Sequence, residues 1–267
     1  MELAGAGGGW AEDDYVHYWL YEWLLFCEAA RRCSGSDRFT THQHLNVDLD
    51  VDLNVDLDVG HFLIYKHAEL LAFEDRGDCL YVAGDATRAY SPEKLDYFTR
   101  QIVFLRPDTF SVFDRVKAKD AAMKKTWLLQ AMEVPSGEAP ELVIRNGPGR
   151  LFVQTVLPPD ATTRRYSGDE LYSYGEQRYP PSRDTGPAPK CRIEVSPSEP
   201  SQADFFLHVL TATDADTDAV PRAVGADSPL ETIVTVGPVR VALAKDRVAA
   251  RMAVDGRWTV LGERPDG

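Results

Sequence analysis

The sequence lacks the short motifs that mark several enzyme classes and metal centres. It contains no G-x-S-x-G, no phosphate-binding P-loop and no H-E-x-x-H, so the chemistries tied to those motifs have no support. Cysteine is scarce, and no two cysteines form a C-x-x-C pair, which removes support for a zinc ribbon. We interpret all four as free thiols or core residues: Cys27, Cys33, Cys79 and Cys191.

Basic residues are also few. The 29 Lys and Arg residues are outnumbered by 42 Asp and Glu residues, which gives a formal net charge of −13. Non-specific nucleic-acid binding needs clustered positive charge, so we predict no nucleic-acid partner. The same net charge disfavours long-range attraction of an anionic polymer, and a site for acidic sugars would need basic residues close to it.

No hydrophobic run is long enough to cross a membrane. The aromatic run 18–26 contains Glu22 and falls short of the roughly 20 apolar residues that a spanning helix requires. Residues 1–10 show neither the basic nor the apolar region of a signal peptide. We therefore expect no membrane partner. Two interpretations of the location stay open: the protein is cytoplasmic, or the sequence starts downstream of its natural N-terminus. The sequence predicts no oligomeric state.

Aromatic residues are concentrated in one amphipathic stretch. Residues 11–33 carry apolar side chains at helical spacing, acidic residues in the first turn and basic residues in the last, and Gly35 follows as a stop signal. We predict one α-helix here, whose apolar stripe must be covered by a sheet, a partner or further helices. The stripe consists of Tyr15, Tyr18, Trp19, Trp23, Phe26, Cys27 and Ala30.

From Phe39 onward, short β-type runs alternate with turn signals such as Asp255-Gly256. Many short strands at spacings of about ten residues are typical of a sandwich. The predicted fold class is mostly β, a large antiparallel β-sandwich preceded by one amphipathic α-helix. Residues 158–190 are interpreted as a long excursion and residues 212–228 as a polar loop. The predicted strands include His61–Tyr65, Leu80–Ala83, Gln101–Leu105, Thr109–Arg115, Thr126–Ala131, Glu141–Arg145, Arg150–Leu157, Arg192–Val195, Asp204–Leu210, Glu231–Val236, Arg240–Ala244, Ala249–Val254 and Trp258–Leu261.

A repeat interrupts a histidine-rich segment. The string LNVDLDV begins at Leu45 and again at Leu53, with Leu or Val on one face and Asp or Asn on the other if the segment is extended. One interpretation is an over-long hairpin or edge strand with a solvated acidic face. The other is a calcium-binding surface, because carboxylates are hard oxygen ligands. An EF-hand is excluded, since Leu57 stands where the loop needs glycine.

Without residues 46–57, the flanking sequence would read HQHLDVGHF. This string resembles the H-x-D-x-G-x-F signature that opens the β-sandwich of heparinase II/III-like polysaccharide lyases. Later segments resemble the same domain, and the resemblance covers roughly residues 39–245. These segments include YVAGDATRAYS from Tyr81, FLRPD from Phe104, VFDRV from Val112, KKTWLL from Lys124, RLFVQTVLP from Arg150, RIEVSP from Arg192 and FLHVL from Phe206.

A smaller resemblance lies in the helical stretch. Gly8-Gly9-Trp10-Ala11-Glu12 followed by Tyr15 is similar to the G-W-x-E-G-x-x-Y stretch of the family's α/α-toroid, although Asp13 replaces the second glycine and the tyrosine falls one residue early. The resemblance implies two domains. Residues 1–38 correspond to a helical remnant of the toroid, and residues 39–267 to the sandwich, with an acidic octad-repeat insertion at 45–59.

The reaction that the resemblance implies is β-elimination on a uronic-acid polysaccharide, so the expected partner is an acidic polysaccharide, of unspecified kind. The enzyme must neutralise a carboxylate, remove the C5 proton and protonate the leaving oxygen, and tyrosine suits proton transfer. Tyr15 is the catalytic candidate, with Tyr18 as runner-up. The competing interpretation makes Tyr15 one more aromatic of a buried stripe. A rival function is a non-catalytic sandwich that binds a glycan or a protein.

The family sandwich also carries a zinc ion bound by His, Asp and a second His. His44 corresponds to the first ligand, and Asp75 lies near the expected position of the aspartate. The strand with the second histidine has no counterpart, and His61 or His67 could take its place sterically. Because a closed zinc site needs about four ligands, zinc is a candidate cofactor with an incomplete site. The alternative interpretation is that these histidines are ordinary polar residues on exposed strands and turns.

Excising residues 46–57 is expected to leave the fold intact or to stabilise it. Twelve residues is an even number, so the deletion preserves the side-chain alternation, and it removes four aspartates that repel one another. Shortening a loop costs little, since closure entropy varies slowly with length. Thermal unfolding of the deletion beside the parent tests this. A melting temperature lower by more than about 5 °C would make the repeat an integral strand pair.

Overall fold

The computed structural model describes residues 69–174, 177–178 and 188–262. Within them, every regular element is a β-strand except two short 3-10 turns, Thr87–Ala89 and Gly168–Glu170. The strands are β1 (Glu69–Asp75), β2 (Cys79–Asp85), β3 (Leu95–Leu105), β4 (Thr109–Ala118), β5 (Trp127–Ala131), β6 (Ser136–Glu138), β7 (Glu141–Asn146), β8 (Gly149–Leu157), β9 (Thr162–Ser167), β10 (Ser173–Tyr174), β11 (Gln177–Arg178), β12 (Cys191–Ser196), β13 (Ala203–Asp214), β14 (Val224–Asp227), β15 (Glu231–Val236), β16 (Val239–Ala244), β17 (Ala250–Val254) and β18 (Arg257–Leu261).

These strands form three main sheets and one small ribbon. The central sheet has eight strands in the order β1-β2-β3-β4-β13-β8-β7-β6. The cover sheet has the order β5-β12-β9, the C-terminal sheet has the order β14-β15-β16-β17-β18, and β10 pairs with β11. All pairings within the central and cover sheets are antiparallel. The predicted mostly β, antiparallel sandwich-like class is therefore confirmed for the described residues.

The central sheet is packed on both faces. Its front face carries Val112, Phe206 and His208, and the cover sheet packs on one half of this face through Trp127 and Ile193. Side chains alternate along each strand, so the neighbouring positions point to the back face. There they meet the C-terminal sheet.

The largest apolar core lies between the back face and the C-terminal sheet. Val103, Phe113 and Val209 from the central sheet cluster there with Val234 and Leu243. Tyr81 reaches into the same layer and donates a hydrogen bond from its hydroxyl to the Gln101 Oε1 atom at 2.7 Å, which satisfies a polar group in an otherwise apolar layer. The resulting order is cover sheet, central sheet and C-terminal sheet.

Several local predictions are confirmed and two are wrong. Asp255 and Gly256 have φ angles of 52° and 77°, as the tight turn of the β17–β18 hairpin requires. The segment 158–190 is not a plain excursion, because β9 pairs along its length with β12. The segment 212–228 is not only a loop, since β13 extends to Asp214 and β14 pairs with β15. Both β9 and β14 are edge strands with mostly exposed side chains, so they lack the apolar alternation by which strands are found.

Some predictions fall on residues that the structure does not describe. The helix over 11–33, the repeat at 45–59, the strand over His61–Tyr65 and the division at residue 38 all lie outside the described residues. Of the cysteines, Cys79 and Cys191 are free and buried, as expected. No helix with the length and hydropathy of a membrane crossing occurs among the described residues.

Candidate functional site

A groove of about 280 Å³ opens at the end of the cover sheet, where β12 ends and the chain turns towards β13. Its walls come from residues 121–125 ahead of β5, from the start of β9 and from the loop 196–201. Ligand sites commonly occupy about 300–1,000 Å³, so the groove is slightly smaller than a common ligand site. Its charged lining consists of Lys124, Lys125, Arg164, Glu194, Glu199 and Asp204.

Glu194 is the buried carboxylate at the base of this groove. It lies in the middle strand of the cover sheet, directly opposite Arg164 of β9, and it is only 7% exposed. Its Oε1 atom accepts a hydrogen bond from Arg192 Nε at 3.0 Å, and its Oε2 atom lies 3.6 Å from Lys124 Nζ. A buried carboxylate needs such partners, because its charge is costly without them. One carboxylate is thus surrounded by three cations.

Two of the basic side chains near the groove are committed to holding the structure. The Arg192 guanidinium also donates to the carbonyl oxygens of Leu171 and Ser173 and lies 4.6 Å from the centre of the Tyr166 ring. The Lys125 ammonium is buried and donates to the carbonyl oxygens of Met123 and Ser201.

Lys125 also forms an ion pair with Asp204, with 3.0 Å between Nζ and Oδ2. Asp204 is therefore neutralised, and Lys125 ties the loop 196–201 to the start of β5. These three contacts use all the ammonium hydrogens of Lys125, and Arg192 is held in place by Glu194, Leu171 and Ser173.

Lys124 and Arg164 are the two cations that remain available. The Lys124 side chain is 56% exposed and only loosely paired with Glu194, and Arg164 is exposed, with no ion pair to another residue of the described chain. Arg192 neutralises Glu194, and Lys125 neutralises Asp204. Of the acidic residues that line the groove, only Glu199 is then left to offset the positive charges of Lys124 and Arg164. The groove therefore has a local excess of positive charge on a chain whose net charge is −13, and it can accept an anion by charge-assisted hydrogen bonds.

A buried polar layer lies beside the groove on the front face of the central sheet. Arg100 and Asp114 stand opposite each other on β3 and β4 and form a two-pronged ion pair, with distances of 2.6 and 2.7 Å. His208 is fully buried, stacks on Trp127 with ring centroids 3.7 Å apart and shares a 3.2 Å hydrogen bond between Nδ1 and the Thr155 hydroxyl. Burial, followed by the positive charge of Arg100, lowers the pKa of His208 to about 3.

His208 is expected to make folding sensitive to mild acid. The unfolded chain takes up its imidazole proton near pH 6.5, whereas the folded chain resists protonation until about pH 3. The stability is complete above pH 6.5 and declines as the pH falls below it, by about 2 kcal/mol between pH 7 and pH 5. Denaturant unfolding at both pH values should show this loss in the native chain and not in His208→Gln. Equal losses in the two proteins would contradict the assignment.

The residues predicted for catalysis and metal binding are only partly within the described chain. Tyr15, Tyr18, His44, His61 and His67 lie outside the described residues.

Asp75 ends β1, and its two oxygens accept hydrogen bonds from Arg106 at 2.9 and 2.8 Å, while Oδ1 also accepts one from the Gly77 amide. Arg106 and the Gly77 amide are thus the described partners of this carboxylate. No group of three or more potential ligands occurs among residues 69–174, 177–178 and 188–262. Asp75 as a zinc ligand and zinc itself therefore stay predictions, and no chemical step is derived through the metal.

The groove residues were not singled out by the sequence. Lys124, Arg164 and Glu194 are far apart in the chain, and each is one charged residue in a charged protein. Only the antiparallel pairing of β9 with β12 brings Arg164 opposite Glu194, and β9 is the strand that sequence reasoning missed. The one available signal was the run of basic residues between β4 and β5, where Lys119, Lys124 and Lys125 outnumber Asp120, and which a charge count over short windows detects.

The fold defines a layered antiparallel β-sandwich with a basic groove at one end. No protein-family model matches the sequence, and no match was found among curated proteins. Among solved structures, the heparinase III BT4657 gene product is similar at 11% identity, with a TM-score of 0.48 over 73% of this chain and 27% of that chain. Heparan sulfate lyase HepC from Pedobacter heparinus is similar at 12% identity, with a TM-score of 0.42 over the same shares. The chain spans about a quarter of the length of these proteins.

Proposed function

We propose that this chain is a polysaccharide-lyase-related protein whose sandwich binds an acidic polysaccharide in the groove at the end of the cover sheet. The observation that carries the proposal is the pair Lys124 and Arg164, two available cations on one groove of a strongly acidic chain. A uronate carboxylate or a sulfate matches them in charge and hydrogen-bonding geometry. The hydroxyl-bearing residues of the groove supply further donors and acceptors for sugar hydroxyls: Thr162, Ser196, Ser198 and Ser201.

The groove is suited to holding the glycan rather than to cleaving it. Its buried carboxylate, Glu194, is already engaged by Arg192 and Lys124, so it serves to hold the groove together rather than to face a sugar. Proton transfer is therefore assigned to Tyr15, on the resemblance of the N-terminal stretch to the lyase toroid. Because that resemblance is confined to a few residues, we expect cleavage by this 267-residue chain to be weak.

Binding and cleavage can be measured on the same samples. Calorimetric titration with heparin and alginate oligosaccharides should show binding that weakens as salt is raised, because the contacts are ionic, while neutral dextran oligosaccharides should not bind. Equal binding of the neutral oligosaccharide, or none by any acidic one, would contradict the proposal.

Absorbance near 232 nm follows the unsaturated uronate product and separates the two candidate functions. We expect little or no increase for the native chain. A robust increase that disappears in Tyr15→Phe would establish an active lyase with Tyr15 as its acid. Binding without any increase favours the rival function, a non-catalytic glycan-binding sandwich. The tight engagement of Glu194 supports that second candidate.

A further inference from the structure

One half of the front face of the central sheet is buried without a facing layer among the described residues. Six apolar side chains form a cluster there, each no more than 8% exposed. All six come from β2, β3 and β4 of the same sheet, and the one partly buried residue packed against them, Leu210, belongs to β13 of that sheet. The cluster consists of Leu80, Val82, Ile102, Phe104, Phe110 and Val112.

A sheet cannot bury its own face. Side chains stand roughly perpendicular to the sheet, so an apolar face needs a second layer packed on it. The cover sheet supplies that layer only for the other half, over Val153 and Phe206.

The apolar surface continues outward to the edge strand β1. Phe73 pairs with Val82 and therefore lies on the same face, and it is 59% exposed. Leu70 of the same strand is 58% exposed. The front-face patch is defined as the six-residue cluster, whose burial requires an occupant over β2, β3 and β4, together with Phe73, which stands exposed at its edge on β1.

We propose that residues 11–33 of the same chain occupy the front-face patch as the missing second layer. The 68 residues ahead of the first described residue enter the fold at Glu69, the start of β1, so they begin beside the patch. Among them, residues 11–33 carry the aromatic stripe that needs an apolar surface. A helix of that length is about 34 Å long and 10–12 Å wide, and the patch spans strands of about 23–36 Å.

The length of the connection fits this occupant. Thirty-five residues, 34–68, separate this segment from Glu69, and a chain of that length can extend over roughly 115 Å, which is ample for the segment to turn back onto the sheet. The docked segment would lie beside the cover sheet, on the same side of the central sheet as the groove. The inference does not depend on the proposed glycan binding.

Two substitutions in the full chain test the docking. Trp19→Arg places a charge in the stripe. Leu24→Arg is the control, because Leu24 follows five positions later and would lie about 140° around a helix from Trp19, away from the stripe. We expect Trp19→Arg to raise the fluorescence of a hydrophobic dye several-fold by uncovering the patch, and Leu24→Arg to raise it little. Equal dye binding by the two variants would overturn the proposal.

A cross-link locates the segment. Cys27 belongs to the stripe, so Phe73→Cys should be joined to Cys27 by a flexible bismaleimide within one chain. Val224→Cys is the matched control, because Val224 is 58% exposed on the C-terminal sheet. A yield several-fold above this control, lowered by Trp19→Arg, supports docking. A yield equal to the control, or links formed mainly between two chains, overturns it; the latter makes a second copy the occupant.

Discussion

Replacing Asp114 with alanine is expected to lower the free energy of unfolding by about 3–5 kcal/mol, the usual cost of removing one partner from a buried ion pair. The Asp114 side chain is only 3% exposed, and both of its oxygens accept hydrogen bonds from Arg100. The substitution leaves the guanidinium beside the fully buried His208 without its carboxylate. Denaturant unfolding monitored by circular dichroism measures the loss.

Asp96→Ala is the matched control on the neighbouring strand. Asp96 pairs with Lys117 and Lys119, but these side chains are partly exposed, and solvent screens such surface pairs so that they contribute little to stability. A cost for Asp114→Ala no larger than that of Asp96→Ala would mean that the buried pair contributes little to stability. Replacing Arg100 and Asp114 together by leucine should recover much of the loss, since a well-packed apolar pair can substitute for a buried ion pair.

Reversing the two available charges of the groove should abolish most of the glycan binding. Hydrogen bonds to charged groups contribute about 1.5–3 kcal/mol each, so Lys124→Glu combined with Arg164→Glu is expected to weaken binding of an acidic oligosaccharide by at least about 100-fold. Because both positions lie beside the buried Glu194, the new carboxylates repel it and should also lower the melting temperature, so binding is measured at a temperature at which the variant is folded. Calorimetric titration of the double variant measures the loss.

The control must change the net charge equally without touching the groove. Lys190→Glu combined with Arg222→Glu does so, because both side chains are largely exposed and neither lines the groove. If the control weakens binding as strongly as the groove variant, the glycan is responding to net charge rather than to a site. If only the groove variant loses binding, the site lies at the end of the cover sheet.

Most of the fold could be predicted because buried strands have a recognisable sequence pattern. The segments that became β4, β8 and β15 combine β-branched and aromatic residues with clear turn signals, and the Asp255-Gly256 hairpin follows from turn chemistry alone. Edge strands such as β9 carry polar, exposed side chains, so no hydrophobic period marks them. The stacking of three sheet layers depends on long-range pairing, which local patterns do not contain.

The candidate site could not be predicted either, and the reason differs from the one that hides the edge strands. Glu194, Arg164 and Lys124 come from three separate segments and meet only through the register of the cover sheet. Asp75 was predicted from the resemblance to the lyase family, but the structure places it against Arg106, a partner 31 residues away. A residue's chemical type can be read from the sequence, whereas its partners depend on the completed fold.

The most direct test of the central proposal is protection of Lys124 from chemical acetylation by a bound acidic oligosaccharide. Mass spectrometry compares the rate at Lys124 with the rate at Lys190, which has a similarly exposed side chain, at 61% against 56%, and lies at the opposite end of β12. We predict that a heparin hexasaccharide slows acetylation of Lys124 several-fold and leaves Lys190 unchanged. Equal protection of the two lysines, or none at Lys124 while the oligosaccharide is bound, would contradict a binding site in this groove.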